Sequence, residues 1–391
     1  MRLIHTADWH LGRTLEGRSR LAEQADFLEE LADIAEEEQA DAILMAGDVF
    51  DTVNPPAAAE QLFYESAARL SDGGKRPLFF ISGNHDNPDR LSAASPLAGK
   101  HGIHLFGLPD LQPFKTVIPS TGEEINLALL PYPSEARLRE LLSQENAEEI
   151  LQKHYDRKIK AIFEKLSESF TDDAVNIAMS HIYVAGSSSS DSERPIEVGG
   201  AYTVSADSLP EGAQYTALGH LHRPQNIRKA TRPARYSGSP LAYSFSESGY
   251  AKSVTVIDVK PGSEAEVKEI PLSSGKPLVS WKAVDGLNQV YHWLDEGKDA
   301  NSWIDLEIHL KNALSLEEIH RLRKLHSGFI HIRPVFETKA EEESRQSASS
   351  LPLDELFKRF YARQTGGAEP EPELTGMFME LVNEDQPEGE E

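Results

Sequence analysis

Ala42-Ile43-Leu44-Met45-Ala46-Gly47-Asp48-Val49-Phe50-Asp51 decides how this chain is read. Five apolar residues in a row, closed by glycine and a carboxylate, fit a strand buried on both faces of an α/β sheet. The polar residues fall just past its carboxyl end, where open α/β sheets gather their ligands. Four other stretches repeat the arrangement. Leu3-Ile4 leads into Asp8-Trp9-His10, and Leu78-Phe79-Phe80-Ile81 into Gly83-Asn84-His85-Asp86. Val175-Asn176-Ile177-Ala178-Met179 leads into Ser180-His181, and Tyr215-Thr216-Ala217-Leu218 into Gly219-His220-Leu221-His222. Between the first two strands, residues 20–38 set Leu21, Phe27, Leu28, Leu31, Ile34 and Ala35 on one helical face. Alternating strands and helices therefore extend to about residue 270, and an α/β class is expected.

The five motifs supply carboxylate, amide and imidazole groups, and the chain has no cysteine. Such a donor set suits a borderline divalent ion, Mn²⁺, Fe or Zn²⁺, and excludes a thiolate zinc site. The metal candidates are Asp8, His10, Asp48, Asn84, His181, His220 and His222. A phosphodiester repels an attacking hydroxide, and two metals held close together answer that repulsion. One carboxylate can touch both ions, and Asp48 is the best bridge by position. Asp8 and His10 are two residues apart, so their side chains converge only if the backbone turns there. Asp51 and Asp86 are expected to orient a histidine or cap a helix. His5 is expected in the strand core. His101, His104, His154, His292, His309, His320, His326 and His331 lack a motif and are assigned to surface or packing. Asp-x-His alone is a weak signal; the weight lies in all five motifs occurring in order.

At 391 residues the chain suggests two or three domains. It has no apolar run long enough to span a membrane. Its opening Met1-Arg2-Leu3-Ile4-His5 is already a strand, not a secretory leader, and with no disulfides a cytoplasmic location is expected. The net charge is −25, uncomfortable for unaided binding to a polyanion. Residues 365–391 hold nine acidic and no basic residues, so the rest still carries −16. If nucleic acid is the substrate, metals, a local basic strip or a partner must supply positive charge.

Composition and pattern divide the chain into residues 1–272, a small α+β unit at 273–340, a polar linker at 341–350 and helices with an acidic tail at 351–391. In the second unit Ile304, Leu306, Ile308 and Leu310 alternate with polar residues, predicting a half-exposed strand. Ser315 to His326 predicts a helix with a serine cap, and Phe329 begins another strand. Near the end, Leu353, Leu356, Phe357, Phe360 and Tyr361 form one apolar stripe, and Leu374, Met377, Phe378, Leu381 and Val382 form a second. Lying beyond a linker, they are expected to dock on a partner.

The motif order resembles the calcineurin-like metallophosphoesterases, and more narrowly the family of Mre-type double-strand-break nucleases. Thr6-Ala7-Asp8-Trp9-His10-Leu11-Gly12 matches that family's opening. Thr52-Val53 follows Asp51 where protein phosphatases place Arg-Gly. Ser192-Glu193-Arg194-Pro195 with Val198-Gly199-Gly200, and Arg223-Pro224-Gln225 with Tyr236-Ser237-Gly238-Ser239-Pro240-Leu241, continue the match. The resemblance implies a four-layer sandwich of two β-sheets flanked by helices, with a small capping domain that recognises DNA. It implies two divalent ions, with Mn²⁺ preferred and Mg²⁺, Fe or Zn²⁺ as alternatives. Asp8, His10, Asp48 and His222 would hold one ion, and Asp48, Asn84, His181 and His220 the other. His85 would contact the scissile phosphate and protonate or stabilise the leaving oxygen. It also implies a homodimer through helices near 57–70 and 89–100. The tail helices would bind an SbcC-type coiled-coil ATPase.

A metal-dependent DNA nuclease subunit is the leading expectation: exonuclease on duplex ends, endonuclease on single strands and hairpins. It would serve repair, recombination and replication, in the cytoplasm and at the nucleoid when on DNA. A stand-alone phosphodiesterase on small nucleotides or lipid pyrophosphates is the first alternative. A catalytically idle assembly scaffold is the second. The intact ligand set argues against the scaffold, and the second domain with its tail stripes argues against the small-molecule enzyme.

Overall fold

The computed structural model describes residues 1–144, 154–193, 202–310, 313–336, 352–364 and 370–384. The linker at 341–350, part of the loop that includes Arg194-Pro195 and Val198-Gly199-Gly200, and the acidic end after Glu384 lie outside the described residues.

Two six-stranded sheets face each other. In the first, the parallel strands Arg2–Thr6, Ala42–Ala46, Leu78–Ile81 and Ile103–Phe106 are extended by antiparallel Ser253–Asp258 and Glu266–Pro271. In the second, Ala234–Tyr236, Tyr215–Gly219, Val175–His181 and Glu124–Leu130 run parallel, with antiparallel Gln225–Asn226 and Phe114–Val117 at the edges. Strand alternation sorts the side chains into layers. Leu44, Phe79 and Ile81 point between the sheets and meet Leu127, Ile177, Met179 and Ala217. Ile43, Met45, Leu78 and Phe80 point outward and pack beneath the helices Leu21–Glu37 and Ala57–Leu70. On the far side, Ala128, Ala178 and Leu218 pack beneath Glu135–Gln144 and Tyr155–Leu166. The result is the expected four-layer sandwich. Because strands from both sheets end toward the same edge, their loops gather there.

A three-stranded sheet of Leu278–Ala283, Trp303–Leu310 and Phe329–Phe336 follows. Periodicity left strand direction open; all three strands run parallel, with the helices Leu287–Asp295 and Leu316–Leu325 as crossovers. Ser315 caps the second helix in a reciprocal capping box with Glu318. Ile304, Leu306 and Ile308 are fully buried. Asp305, on the other face, is buried too rather than half-exposed, because Arg333 on the adjacent strand pairs with it.

The closing stripes form the helices Leu353–Gln364 and Pro372–Glu384, and the second runs through Gly376. They pair with each other. Phe357 stacks on Phe378 with centroids 4.2 Å apart, and Tyr361 lies 6.3 Å from Phe357. Leu353, Phe360, Leu374 and Met377 remain exposed, while Leu356 is half-buried. The side chain of Leu381 lies outside the described residues.

Candidate metal centre

The first two motif loops are zipped together. Asp8 N–H donates to the Gly47 carbonyl at 2.9 Å, His10 N–H to Asp48 at 3.0 Å and Leu11 N–H to Val49 at 2.9 Å. The backbone does turn between Asp8 and His10. Asp8, His10, Asp48 and His220 all have positive φ, at 55°, 47°, 56° and 104°. Left-handed non-glycine residues are uncommon and are held only where the surroundings over-determine them. Four of them within one ligand set turn side chains inward that would otherwise alternate across the sheets.

The motif glycines let the other loops approach. A Cβ on Gly83 would sit 2.0 Å from Asp48 Oδ1. One on Gly219 would sit 1.8 Å from the Ala46 carbonyl oxygen and 2.9 Å from His181 Nδ1. Any side chain there would push the third and fifth loops off the centre.

Every sequence-predicted candidate is brought to this edge. Ligand atoms of Asp8, His10 and His222 lie within 4.8 Å of one another, as do those of Asp8, Asp48 and His181, and those of His10, Asp51 and His85. Asp48 Oδ2 is 3.6 Å from His10 Nε2 and 3.3 Å from His181 Nε2. Asn84 Oδ1 is 2.8 Å from His181 Nε2, and the His220 ring is 5.4 Å from the His181 ring. Asp8 belongs to two of the three groups, so both buried carboxylates stand centrally.

The electrostatics follow from burial. Burial raises the Asp8 carboxyl to about 7 against the pull of His181 and His222. Burial also opposes ionisation of Asp48, but the His181 charge and hydrogen bond outweigh it and hold Asp48 well below the usual carboxylate range. The partner effect raises His181 to about 9 despite its burial, chiefly through Asp48. Burial lowers His10 to about 3 and, with His181 beside it, holds His220 neutral as well. A neutral imidazole is the metal-binding form.

These residues fit divalent ions. His10 Nε2 and His222 Nε2 face each other at 3.0 Å, both rings wholly buried, with the Asp8 carboxylate alongside. Lone-pair donors and buried charges meeting in a dry interior are costly unless a cation lies among them.

Supporting groups lock this set. Asp51 Oδ1 lies 3.4 Å from His10 Nδ1 and 3.6 Å from Arg13 Nη1, and the Asp51 carbonyl accepts from His85 Nδ1 at 2.7 Å. Asp51 therefore lies against His10 with its carboxylate and against His85 with its carbonyl. Asp86 neither orients a histidine nor caps a helix. Its carboxylate accepts backbone N–H groups of Val49, Phe50 and Gly83 at 2.8–3.1 Å, tying the second and third loops together. Burial, reinforced by Asp48, raises Asp86 to about 6. His5 is a strand core residue, with Nδ1 3.0 Å from the Tyr215 hydroxyl. His104 stacks on Phe79 at 5.2 Å, which is packing.

Sequence reasoning missed Glu247. It lies in a polar Ser-rich turn, Ser244-Phe245-Ser246-Glu247-Ser248, that looks solvated. Its side chain is instead fully buried. It accepts from the Ser192 hydroxyl at 2.5 Å and the Tyr243 N–H at 3.1 Å, pairs with Lys252, and lies 3.4 Å from His222 Nδ1. Burial would raise its carboxyl, but His222 and Lys252 outweigh this and keep it ionised. Ser192 Oγ also lies 2.6 Å from His222 Nδ1, and Glu193 accepts the His222 N–H at 2.9 Å. No periodicity or motif marks Glu247; only the fold brings it beneath His222. Tyr243 and Gln24 were missed likewise. Tyr243 donates to the Trp9 carbonyl, and Gln24 donates to the His10 carbonyl at 2.8 Å.

Residues 1–224 match the calcineurin-like phosphoesterase family, and residues 274–365 match the type 5 capsule protein repressor C-terminal domain. The SbcD subunit of nuclease SbcCD from Bacillus subtilis (strain 168) is 63% identical over 383 residues, 98% of each chain. The SbcD subunit of the Rhodobacter capsulatus nuclease SbcCD is 36% identical over 293 residues, 71% of each chain. The chain belongs to the calcineurin-like phosphoesterase family, in the branch that contains these SbcD nuclease subunits.

Proposed function

We propose that this chain is a metal-dependent DNA nuclease subunit that works with an SbcC-type, SMC-like coiled-coil ATPase. The carrying observation is the convergence of five strand-end loops on Asp48, with carboxylate, amide and imidazole donors and no thiolate. The names of its relatives support the substrate and the partner. The activities we assign are exonuclease on duplex ends and endonuclease on single strands and hairpins, in repair, recombination and replication. The action would lie in the cytoplasm, at the nucleoid when on DNA; among the described residues no helix is long and apolar enough to cross a membrane.

Asp8, His10, Asp48 and His222 would hold one divalent ion, and Asp48, Asn84, His181 and His220 a second; these donors accept Mn²⁺, Fe or Zn²⁺, and the family resemblance favours Mn²⁺. Bound ions would neutralise the phosphodiester and lower the pKa of a water. The chain's own groups do the rest. Neutral His10 and His220 offer lone pairs without first losing a proton. Asp51 and Glu247 keep His10 and His222 oriented. His85 is assigned to the scissile phosphate. The Asp51 carbonyl can only accept, so His85 Nδ1 carries a proton. The other nitrogen is then the one that exchanges a proton with the leaving oxygen, a role imidazole performs near neutral pH.

Residues 1–272 form the nuclease unit in this reading, 273–340 a capping unit for DNA recognition, and the helices from 351 onward the ATPase-binding element. Support for the last is the exposure of Leu353, Phe360, Leu374 and Met377. Tyr64 and Leu97, exposed on the segments 57–70 and 89–100, support a homodimer through those helices.

The test is cleavage of hairpin and linear duplex DNA with Mn²⁺, with and without the coiled-coil ATPase. Activity is expected to vanish in chelator and return with Mn²⁺. Full activity after thorough metal removal refutes the reading.

A further inference from the structure

The chain has 64 acidic residues among 391, yet residues 212–246 contain none. The same stretch holds five cations: Arg223, Arg228, Lys229, Arg232 and Arg235. At the chain's average, 35 residues would carry about six carboxylates, so this is a pronounced local inversion of charge.

The fold makes a groove of this stretch. A cavity of about 610 Å³ is lined by Ser187, Ser188, Arg223, Arg228, Lys229 and Arg235 among others, with no carboxylate in its lining. Its walls continue the ligand loops. Ser187 and Ser188 follow the strand ending at His181, and Arg223 directly follows His222. The walls are braced against each other: Gln225 accepts the Ser188 N–H at 2.8 Å and donates back to the Ser188 carbonyl at 2.8 Å. At the floor, Arg235 is committed to Asn226 at 2.8 Å and Glu269 at 2.8 Å. Arg223 lies over the Tyr250 ring at 4.8 Å. Arg228 and Lys229 are exposed and have no hydrogen bond or ion pair among the described residues. In a protein this acidic, two unspent cations in a carboxylate-free groove beside the metal loops are set to meet an anion from outside.

We propose that this groove binds the phosphate backbone of a nucleic-acid strand engaged at the adjoining metal centre, with Arg228 and Lys229 as the phosphate contacts. The proposal rests on the nuclease reading. It also answers the net charge of −25: the positive charge that a polyanion needs is concentrated in one acid-free stretch, 212–246, rather than spread over the chain.

Each phosphate neutralised by a cation contributes about 0.7–0.9 to the slope of log affinity against log salt. The full-length R228A/K229A double variant is therefore expected to lose about 1.4–1.8 of that slope, and on the order of tenfold in affinity at moderate salt. The readouts are KM for Mn²⁺-dependent cleavage of a labelled oligonucleotide across a salt series, and fluorescence anisotropy of the same oligonucleotide with Ca²⁺ in place of Mn²⁺. Hydrolysis of bis(p-nitrophenyl) phosphate, too small to extend along the groove, controls for the metal centre. The charge-keeping R228K/K229R variant should retain wild-type affinity and slope. If the wild type cleaves the oligonucleotide and R228A/K229A shows the same KM, anisotropy and slope, the groove is wrong and the nuclease reading stands. If the wild type hydrolyses the small diester but not the oligonucleotide, the nuclease reading fails and the groove falls with it.

Discussion

Glu247 offers the sharpest test of how the metal centre is held. Its carboxylate is fully buried, and Lys252, its ion-pair partner, is only 9% exposed. Glu247→Ala removes the anion and leaves a buried ammonium whose remaining contacts are the His222 carbonyl at 3.0 Å and Ser239 Oγ at 2.9 Å. Breaking a buried pair on one side costs about 3–5 kcal/mol. A chain of 391 residues shifts by less per kcal/mol than the roughly 2–4 °C typical of 150–250 residues, so the melting temperature should fall by about 5–10 °C. Glu247→Gln keeps the shape and the Ser192 contact but removes the charge beside His222 Nδ1. Loss of such an orienting partner lowers metal affinity about 10–100-fold. Calorimetric Mn²⁺ titration of the Gln variant and thermal melts of both variants measure the two effects separately. An Ala variant that melts with the wild type, or a Gln variant with unchanged Mn²⁺ affinity, would refute the claim that Glu247 holds His222 in place.

Three further outcomes are expected. His85→Ala should retain its Mn²⁺ stoichiometry by calorimetry while losing about 10²–10⁴ in turnover, whereas Asp48→Ala should lose metal; a lost ion in the His85 variant would make His85 a ligand. In the tail, Phe357 is already occupied by Phe378, so the discriminating substitutions are Phe360→Glu and Met377→Glu on the exposed stripe. Together they should abolish co-purification with the coiled-coil ATPase and spare hydrolysis of a small phosphodiester; unchanged complex formation assigns the stripe elsewhere. Glu23 ties the helix Leu21–Glu37 to the strand Trp303–Leu310: it accepts from Arg20 Nε at 2.6 Å, Trp303 Nε1 at 3.0 Å and the Lys276 N–H at 2.7 Å. Burial opposes its ionisation, but Arg20 outweighs burial and depresses its carboxyl. A depressed carboxylate contributes stability above its unfolded value near about 4.3 and loses it as pH falls through the folded value. The melting-temperature gap between wild type and Glu23→Gln should therefore be widest near pH 7 and narrow on acidification; a gap independent of pH refutes the ion-pair account.

Much of the centre was legible in the chain because its cause is local. A continuous apolar run such as Ala42–Ala46 can only be a strand covered on both sides, so the residue after it must emerge at a sheet edge. Gly47, Gly83 and Gly219 then mark where backbones approach too closely for a side chain. Heptad-like spacing in the tail and the Ser315 cap are likewise readable, since both depend on neighbours within four residues. The limit came where partners are distant in sequence. Asp86 looked like a helix cap, yet its carboxylate serves backbone N–H groups 36 and 37 residues away. Glu247 carries no motif, yet it reaches Ser192 across 55 residues.

Residue types and order alone therefore pointed to the α/β class, the family and the strand-end loops whose carboxylates and imidazoles gather at one edge. Tertiary structure decided which carboxylates are buried, which histidines stay neutral, how the three-stranded sheet runs and that Arg228 and Lys229 line one groove. The physical reason is range. Strand and helix periodicity are set by the nearest few residues, whereas desolvation and charge pairing depend on what the completed fold places overhead, and that is written nowhere in the local sequence.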